Sequence, residues 1–260
     1  MAGEELYERM AADYEAMVDW DKRLANELPF FRQLFDERSV RRVADVACGV
    51  GRHAIAFAKW GLGVVGVDPS EELLRIARGR ATEEGTGVEF VRSDFLHLAD
   101  ALAPPFDAIV CIGNSLPHLL QERQVRCALE QMSVLLRPQG VLAVQTRSAE
   151  RTWARGDHLL PPRLTTRGSS KLVFLRMVEV HPPTTTLHVI RLDKEDDRWG
   201  IDVKSTELRP IGLDEMERLL GETGFGRAEA YGDYQRDEFD PLVSEDLLIV
   251  ATRTDEGGGA

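Results

Sequence analysis

Three short segments place residues with ligand chemistry at regular intervals between residues 41 and 112. The first, Asp45-Val46-Ala47-Cys48-Gly49-Val50-Gly51, ends an apolar run and carries two glycines. Glycines lack a Cβ and let the backbone come close to a bound molecule. The second is Asp68, 19 residues after Gly49 and just past GVVGV. A carboxylate at such a strand end can accept both hydroxyls of a ribose. The third is Asp94-Phe95, shortly after VEFVR; its carboxylate and ring suit the edge and face of an adenine. Three such turns in succession describe a nucleoside site. A dinucleotide matches less well, because Gly51 is followed by Arg52, His53 and Ala54 and the third glycine of that fingerprint is missing. The Asp45 carboxylate also sits badly beside a phosphate, and suits a cofactor with an ammonium and a sulfonium. Each turn alone can be read as an ordinary strand-to-helix turn, with Asp68 and Ser70 acting only as caps. The three in order argue for a site.

These turns need a scaffold, and the hydrophobic pattern supplies one. The first 36 residues read as helical: Tyr7, Met10, Ala11, Tyr14 and Met17 fall at helical spacing, and a second helix from about Lys22 to Phe35 is interrupted near Pro29. Strands at 41–47, 63–67, 88–92, 106–112 and 141–146 then alternate with helices. The helix after Asp68 has Ser70 as its cap, Glu71 and Glu72 in its first turn, and Leu73, Ile76 and Ala77 as its inner stripe. This alternation predicts a parallel sheet with helices on both faces and a ligand crevice at the strand C-terminal ends. KLVFLRMVEV, TTTLHVIRL and GIDVKSTEL break the rhythm as three strands of an antiparallel insertion. Leu213, Met216 and Leu220 then mark a helix, and DLLIVATR (246–253) a last strand. The expected organisation is an N-terminal helical segment over 1–40 that covers the site, an α/β domain over 41–160 and 210–253, a lid over 161–209, and a disordered tail over 254–260.

Bulk properties narrow the partners. Of 260 residues, 43% are hydrophobic and 29% charged, an ordinary globular balance. No apolar run approaches the ~20 residues that span a bilayer, and the acidic N-terminus lacks a signal core. Cys48, Cys111 and Cys127 form no CxxC pair, which fits a reducing cytoplasm without disulfides or structural zinc. No metal-ligand spacing is present. A net charge of −12 repels a phosphate backbone. The expectation is a cytoplasmic monomer or homodimer that acts on a small molecule, without nucleic acid or membrane.

DVACGVG, GVDPS and SDF resemble the successive motifs of class I S-adenosylmethionine-dependent methyltransferases over about residues 40–150, with the strand order resuming after 210. The resemblance implies a Rossmann-like seven-stranded sheet with helices on both faces, beside the small antiparallel β insertion. It implies S-adenosyl-L-methionine as cofactor and methyl transfer by direct in-line displacement. Ala47, Gly49 and Gly51 would pass their backbone along its methionine part, Asp68 would hold the ribose, and Asp94 and Phe95 the adenine. CIGNSLPHL (111–119) is similar to the segment after the fourth strand of glycine N-methyltransferases and related small-molecule N-methyltransferases. There the asparagine, here Asn114, places the substrate. Arg147 aligns with the arginine that clasps the substrate carboxylate. Arg23, 22 residues before Asp45, aligns with the arginine that meets the cofactor carboxylate. A tyrosine of the N-terminal segment corresponds to Tyr7 or Tyr14. Pro69 and Cys111 complete the expected cofactor contacts, Arg209 joins Arg147 and Asn114 toward the substrate, and Asn114, His118 and Tyr14 form the expected catalytic set.

The departures matter too. Glu207-Leu208-Arg209-Pro210 replaces a tyrosine-rich strand of the glycine enzymes, which points away from glycine and toward another small amine. The insertion is similar to the covers of sugar N-methyltransferases. The expected reaction is therefore N-methylation of an amine, amino acid or amino sugar. O- or C-methylation on the same fold, a non-catalytic cofactor-binding protein and a nicotinamide dehydrogenase stay open as alternatives. Structural roles stay open as well: Arg147 pairing with Glu150, Arg23 with Asp19, and Asn114 capping a helix near Pro117.

Overall fold

The computed structural model describes residues 11, 13–167, 170–195 and 198–255. Tyr7, Met10 and the tail from 256 onward lie outside them. After helical residues 13–17 come α1 (Trp20–Glu37), β1 (Arg42–Val46), α2 (Arg52–Lys59), β2 (Gly63–Asp68), α3 (Glu71–Glu83) and β3 (Glu89–Arg92). Next are α4 (Leu98–Ala101), β4 (Phe106–Cys111), α5 (Glu122–Leu135), β5 (Leu136–Arg147) and α6 (Ala149–Arg155). Strands β6 (His158–Arg167), β7 (Ser170–His181), β8 (Thr184–Glu195) and β9 (Arg198–Leu208) follow, then α7 (Leu213–Glu222), β10 (Phe225–Tyr231) and β11 (Asp246–Arg253).

Seven strands form one sheet in the order β10-β11-β5-β4-β1-β2-β3. β1 runs parallel to both β2 and β4, and only β11 opposes its neighbours. The chain reverses direction across the sheet between β1 and β4, which is where an open α/β sheet leaves its crevice. β1, β2 and β4 are apolar and buried along most of their length because helices cover both faces. Ser70 caps α3 as its sequence predicts, its Oγ accepting from Leu73 N–H at 3.2 Å. β10 carries Arg227 and Glu229 among its apolar residues and has no clear strand signature; it lies at the sheet edge, where such charges are tolerated.

Pro29 does not interrupt α1, contrary to the sequence expectation. A helix-interior proline costs about 3 kcal/mol. The next turns bury Phe30, Phe31, Leu34 and Phe35 almost completely, and each such burial contributes roughly 1.5–3 kcal/mol. Phe31 and Phe35 pack edge-to-face against Phe57 of α2 with ring centroids 5.5 and 5.1 Å apart.

The second sheet has four antiparallel strands, β6-β7-β8-β9, where the sequence suggested three. The extra strand, β6, begins at His158 and carries Pro161 and Pro162. Its register with β7 shifts between Leu160 and Arg163, so the prolines sit in an edge irregularity that masks the strand pattern. On the inner face Leu172, Phe174 and Val189 pack against Met17 and Tyr14. Ion pairs tie the same face to the N-terminal segment: Arg167 and Arg191 reach Asp13 at 3.0 and 2.6 Å, and Arg163 reaches Asp19 at 2.6 Å. Among the described residues, no helix is long and apolar enough to cross a membrane.

Candidate active site

An open cleft lies at the C-terminal ends of β1 to β4, where ligands of open α/β sheets bind. It is lined by Ala47 and Gly49 after β1, by Asp68, Pro69 and Ser70 after β2, and by Leu73 of α3. Asp94 and Phe95 after β3, and Gly113, Ser115, His118 and Leu119 after β4, complete it with Tyr14. Six of the expected cofactor residues, Ala47, Gly49, Asp68, Pro69, Asp94 and Phe95, therefore come together at one place.

The turn after β1 explains its own sequence. Ala47, Gly49 and Gly51 have φ of 60°, 56° and 73°, left-handed values that glycine adopts most readily. A Cβ on Gly51 would stand 2.9 Å from Ala77 Cβ and from the Phe90 ring. Gly51 thus serves the packing of α3 and β3 against the turn, and it is not among the lining residues. Asp68 braces the same turn: its Oδ2 accepts from Gly49 N–H at 2.8 Å and its Oδ1 from Ser70 N–H at 3.0 Å. A carboxylate offers about four acceptor sites, so capacity remains for hydroxyls. Asp94 accepts from Leu96 N–H at 2.9 Å and lies 2.7 Å from His97 Nδ1. Cys111 is wholly buried in the core and does not line the cleft; burial raises its thiol well above the ordinary range.

Behind the cleft lies a buried charged network that sequence spacing did not reveal. Arg23 Nε donates to Glu27 Oε1 at 2.9 Å, and Glu27 Oε2 lies 2.7 Å from His53 Nε2. The Asp19 pairing considered for Arg23 is only backbone, N–H to carbonyl at 2.9 Å. Arg23 also hydrogen-bonds Tyr14, and a Cβ on Gly113 would come within 3.1 Å of its Nη2. Burial pushes the Glu27 carboxyl upward, but the His53 hydrogen bond and the Arg23 charge prevail and hold it below its ordinary range. Burial lowers the His53 imidazole and raises the Tyr14 hydroxyl. Asp45, 2% exposed, is raised by burial to about 7, against a hydrogen bond from the Ala54 backbone and the Arg23 charge. Its Oδ2 is buried without a hydrogen-bond partner among the described residues.

On the other side of the cleft, burial lowers His118 to about 4. Asn114, with φ 62°, does not cap the 3-10 turn Leu116–His118. Its Oδ1 accepts from Arg147 N–H at 2.9 Å and so joins the ends of β4 and β5. Gln145 supports the same junction, accepting from Gly113 N–H at 2.7 Å and donating to Asp246 at 3.0 Å. Arg147 is half exposed and pairs with Asp246 at 3.0 Å and Glu245 at 3.7 Å, not with Glu150. Glu150 instead accepts from Leu213 N–H at 3.0 Å at the start of α7. Arg209 is held in a fork by Glu215 at 2.9–3.1 Å. It lines a second open cavity with Trp153, Pro182 and Pro183, apart from the residues of the first.

The cleft suits an adenosyl sulfonium. It holds two carboxylates, Asp68 and Asp94, has Phe95, Leu73 and Leu119 as apolar walls, and the Cβ-free Gly49 leaves room beside them. Residues 43–140 match a family model described as a methyltransferase domain. A glycine/sarcosine N-methyltransferase of Parasynechococcus marenigrum is 29% identical over 92% of this chain and 82% of its own length. One of Halorhodospira halochloris is 28% identical over 89% and 83%. Among solved structures, an S-adenosylmethionine-dependent methyltransferase from Clostridium acetobutylicum superposes with a TM-score of 0.76 at 15% identity, covering 96% of this chain and 97% of that one. An amino pentose methyltransferase of calicheamicin biosynthesis from Micromonospora echinaspora, solved with S-adenosylmethionine bound, gives 0.74 at 22%, covering 94% and 95%. At these identities the structural likenesses speak for the fold. The domain match, the near full-length relatives and the fold agree: the chain is similar throughout to class I S-adenosylmethionine-dependent methyltransferases.

Proposed function

We propose that this enzyme methylates the nitrogen of a small molecule: an amine, an amino acid or an amino sugar. The carrying observation is the near full-length similarity to glycine/sarcosine N-methyltransferases, joined to a cleft with a neutral imidazole at its acceptor side. In this reading Asp68 holds the ribose hydroxyls, and Asp94 and Phe95 hold the adenine. The backbone of Ala47 and Gly49 runs along the methionine part, with Pro69 alongside, and Arg23 meets the cofactor carboxylate from behind Gly113. When bound, the cofactor supplies a methyl group on a sulfonium, a leaving group good enough for direct in-line displacement.

What remains for the protein is to align a nitrogen lone pair, and positioning of this kind can supply on the order of 7–11 kcal/mol in favourable systems. Asn114 sets the height of the loop after β4 by tying it to Arg147. His118, neutral at pH 7 because burial lowers it to about 4, is a poor proton sink for an alkylammonium. It serves as a hydrogen-bond acceptor that orients an amine already deprotonated by solvent. Tyr14, held by Arg23, closes the cleft from the N-terminal side. In the same reading Arg147 clasps an acceptor carboxylate and Arg209 serves the substrate from the second cavity. The N-terminal segment and the four-stranded sheet together form the cover that excludes water.

The test is product analysis with methyl-labelled cofactor across amines, amino acids, amino sugars and phenols. Label on nitrogen in any of the first three supports the reading. Label only on oxygen or carbon would replace it with another reaction of the same fold.

A further inference from the structure

The outer face of the four-stranded sheet is apolar. Side chains alternate between the two faces of a strand. Leu172, Phe174 and Val189 point inward onto Met17 and Tyr14, so Val173, Leu175 and Met177 of β7 point outward. Strand register carries that face across the sheet: Leu164, Val173, Leu192 and Ile201 form one row, and Leu175, Ile190 and Val203 the next. Leu159 and Met177 continue it beside His188 and Ser205. Leu159, Leu164, Trp199, Ile201 and Val203 are each more than half exposed. Among the described residues, these are five of the eight large apolar side chains that stand exposed, gathered on one face. A contiguous exposed apolar patch marks a contact surface.

The charges at the margins of the patch are sorted by sign. Lys171 and Lys194 stand directly opposite each other at one end, in the row of Trp199, and like charges so placed repel. Glu179 and Glu207 flank Thr186 at the other end. Leu175 lies midway between Lys171 and Glu179 on β7. A two-fold axis that crosses the strands at the Leu175–Ile190–Val203 row therefore stacks two copies with the lysine end of each on the glutamate end of the other. Leu164 then meets Leu159 of the second copy, Val173 meets Met177, and the central row meets itself. An axis along the strands would set lysines on lysines. The face is also large enough. Four strands about 4.8 Å apart, at about 3.3 Å per residue from Lys171 to Glu179, give each copy roughly 500 Å². Two such faces bury on the order of 1,000 Å², the size at which specific interfaces begin.

We infer that the chain forms a two-fold homodimer through the outer faces of its four-stranded sheets, with a second copy of the chain as the occupant of the patch. The two sheets pack face to face as an aligned sandwich, an isologous contact in which each patch meets itself reversed. Each inner face stays on its own Met17 and Tyr14. Every cover is then held between its own cleft and the cover of the second copy, so pairing restrains both covers without adding a residue to either cleft. A net charge of −12 sets the chain against an anionic membrane surface as the alternative occupant.

The test is sedimentation analysis of the full chain at micromolar concentration. Wild type should sediment at twice the mass of the chain. Ile201→Lys and Leu164→Lys, both at exposed positions on opposite edges of the sheet, should each raise the dimer dissociation constant at least tenfold, with the circular dichroism spectrum unchanged. Lys171→Glu should weaken the dimer by a similar factor, and adding Glu179→Lys to it should restore the dimer, because the across-strand axis sets those two positions on one another. A wild-type chain that stays monomeric overturns the inference. A dimer that Ile201→Lys and Leu164→Lys both leave intact overturns it too, since the contact then lies elsewhere. Failure of Glu179→Lys to rescue Lys171→Glu overturns the proposed pairing of the two faces. A monomer that co-sediments with phosphatidylcholine vesicles gives the patch to a lipid surface instead.

Discussion

In the seven-stranded sheet, β1, β2 and β4 are buried along nearly their whole length. In the four-stranded sheet, β9 alternates exposed with half-buried positions, and Leu164 and Ile201 are 70% and 71% exposed. The first sheet is covered by helices on both sides, and its cleft is made of backbone turns fixed by packing. The second is covered on one side only, by Met17, Tyr14 and a set of Arg–Asp pairs. A methyl-transfer site needs both kinds of construction. The parallel sheet fixes its turns by packing on both faces, and the antiparallel one is attached through a small apolar cluster and the Arg–Asp pairs.

Four experiments would break or sharpen that contrast. The largest effect is expected in the parallel sheet. Gly51→Ala places a Cβ 2.9 Å from Ala77 and Phe90 in a left-handed turn, and should lower global stability by about 3 kcal/mol, read as a lower denaturant midpoint. A smaller and local effect is expected from Asp13→Asn, which removes the shared partner of Arg167 and Arg191. It should loosen the cover by about 2 kcal/mol, seen as roughly thirtyfold faster hydrogen exchange in β7 and β8, while the global midpoint stays put. A fall in both together would mean that the two sheets unfold as one unit.

Asp68→Ala comes next. It should weaken S-adenosylhomocysteine binding at least tenfold, a loss of about 1.4 kcal/mol; unchanged affinity by calorimetry would remove the ribose assignment. The smallest effect concerns pH. His118 is lowered from 6.5 to about 4 in the folded protein, so the unfolded chain binds more protons between those values and stability falls as pH drops through that window. Asp45 is raised from 3.8 to about 7, so its contribution is present at low pH and is lost as pH rises toward 7. The two slopes oppose each other. His118→Gln should therefore leave a melting temperature that declines from pH 4 to 7, and Asp45→Asn one that rises; identical pH profiles in both variants and wild type would show that neither shift exists.

Much of the parallel sheet was legible because its signals are local. A buried strand, a glycine turn and a capped helix each occupy a few consecutive residues, and Ser70 caps α3 as its sequence indicates. β6 was not legible, because Pro161 and Pro162 hide it in a register shift, and Pro29 suggested a break that aromatic packing overrides. Single-residue roles were harder to read. Gly51 looked like part of the cofactor floor, yet the missing Cβ makes room for Ala77 and Phe90. Asn114, expected to place the substrate with a helix cap as the alternative role, does not cap but ties two strands together.

By itself, the order of DVACGVG, Asp68 and Asp94-Phe95 determined that three neighbouring strand tips would converge on one cleft, because a parallel sheet brings successive tips to the same edge. Only the tertiary structure decided the Arg23–Glu27–His53 network and the bracing of Arg147 by Asn114 and Asp246. Periodicity along a chain records which face of an element is buried. It carries no record of which charged groups from distant segments will meet there, and that meeting sets their partners and protonation.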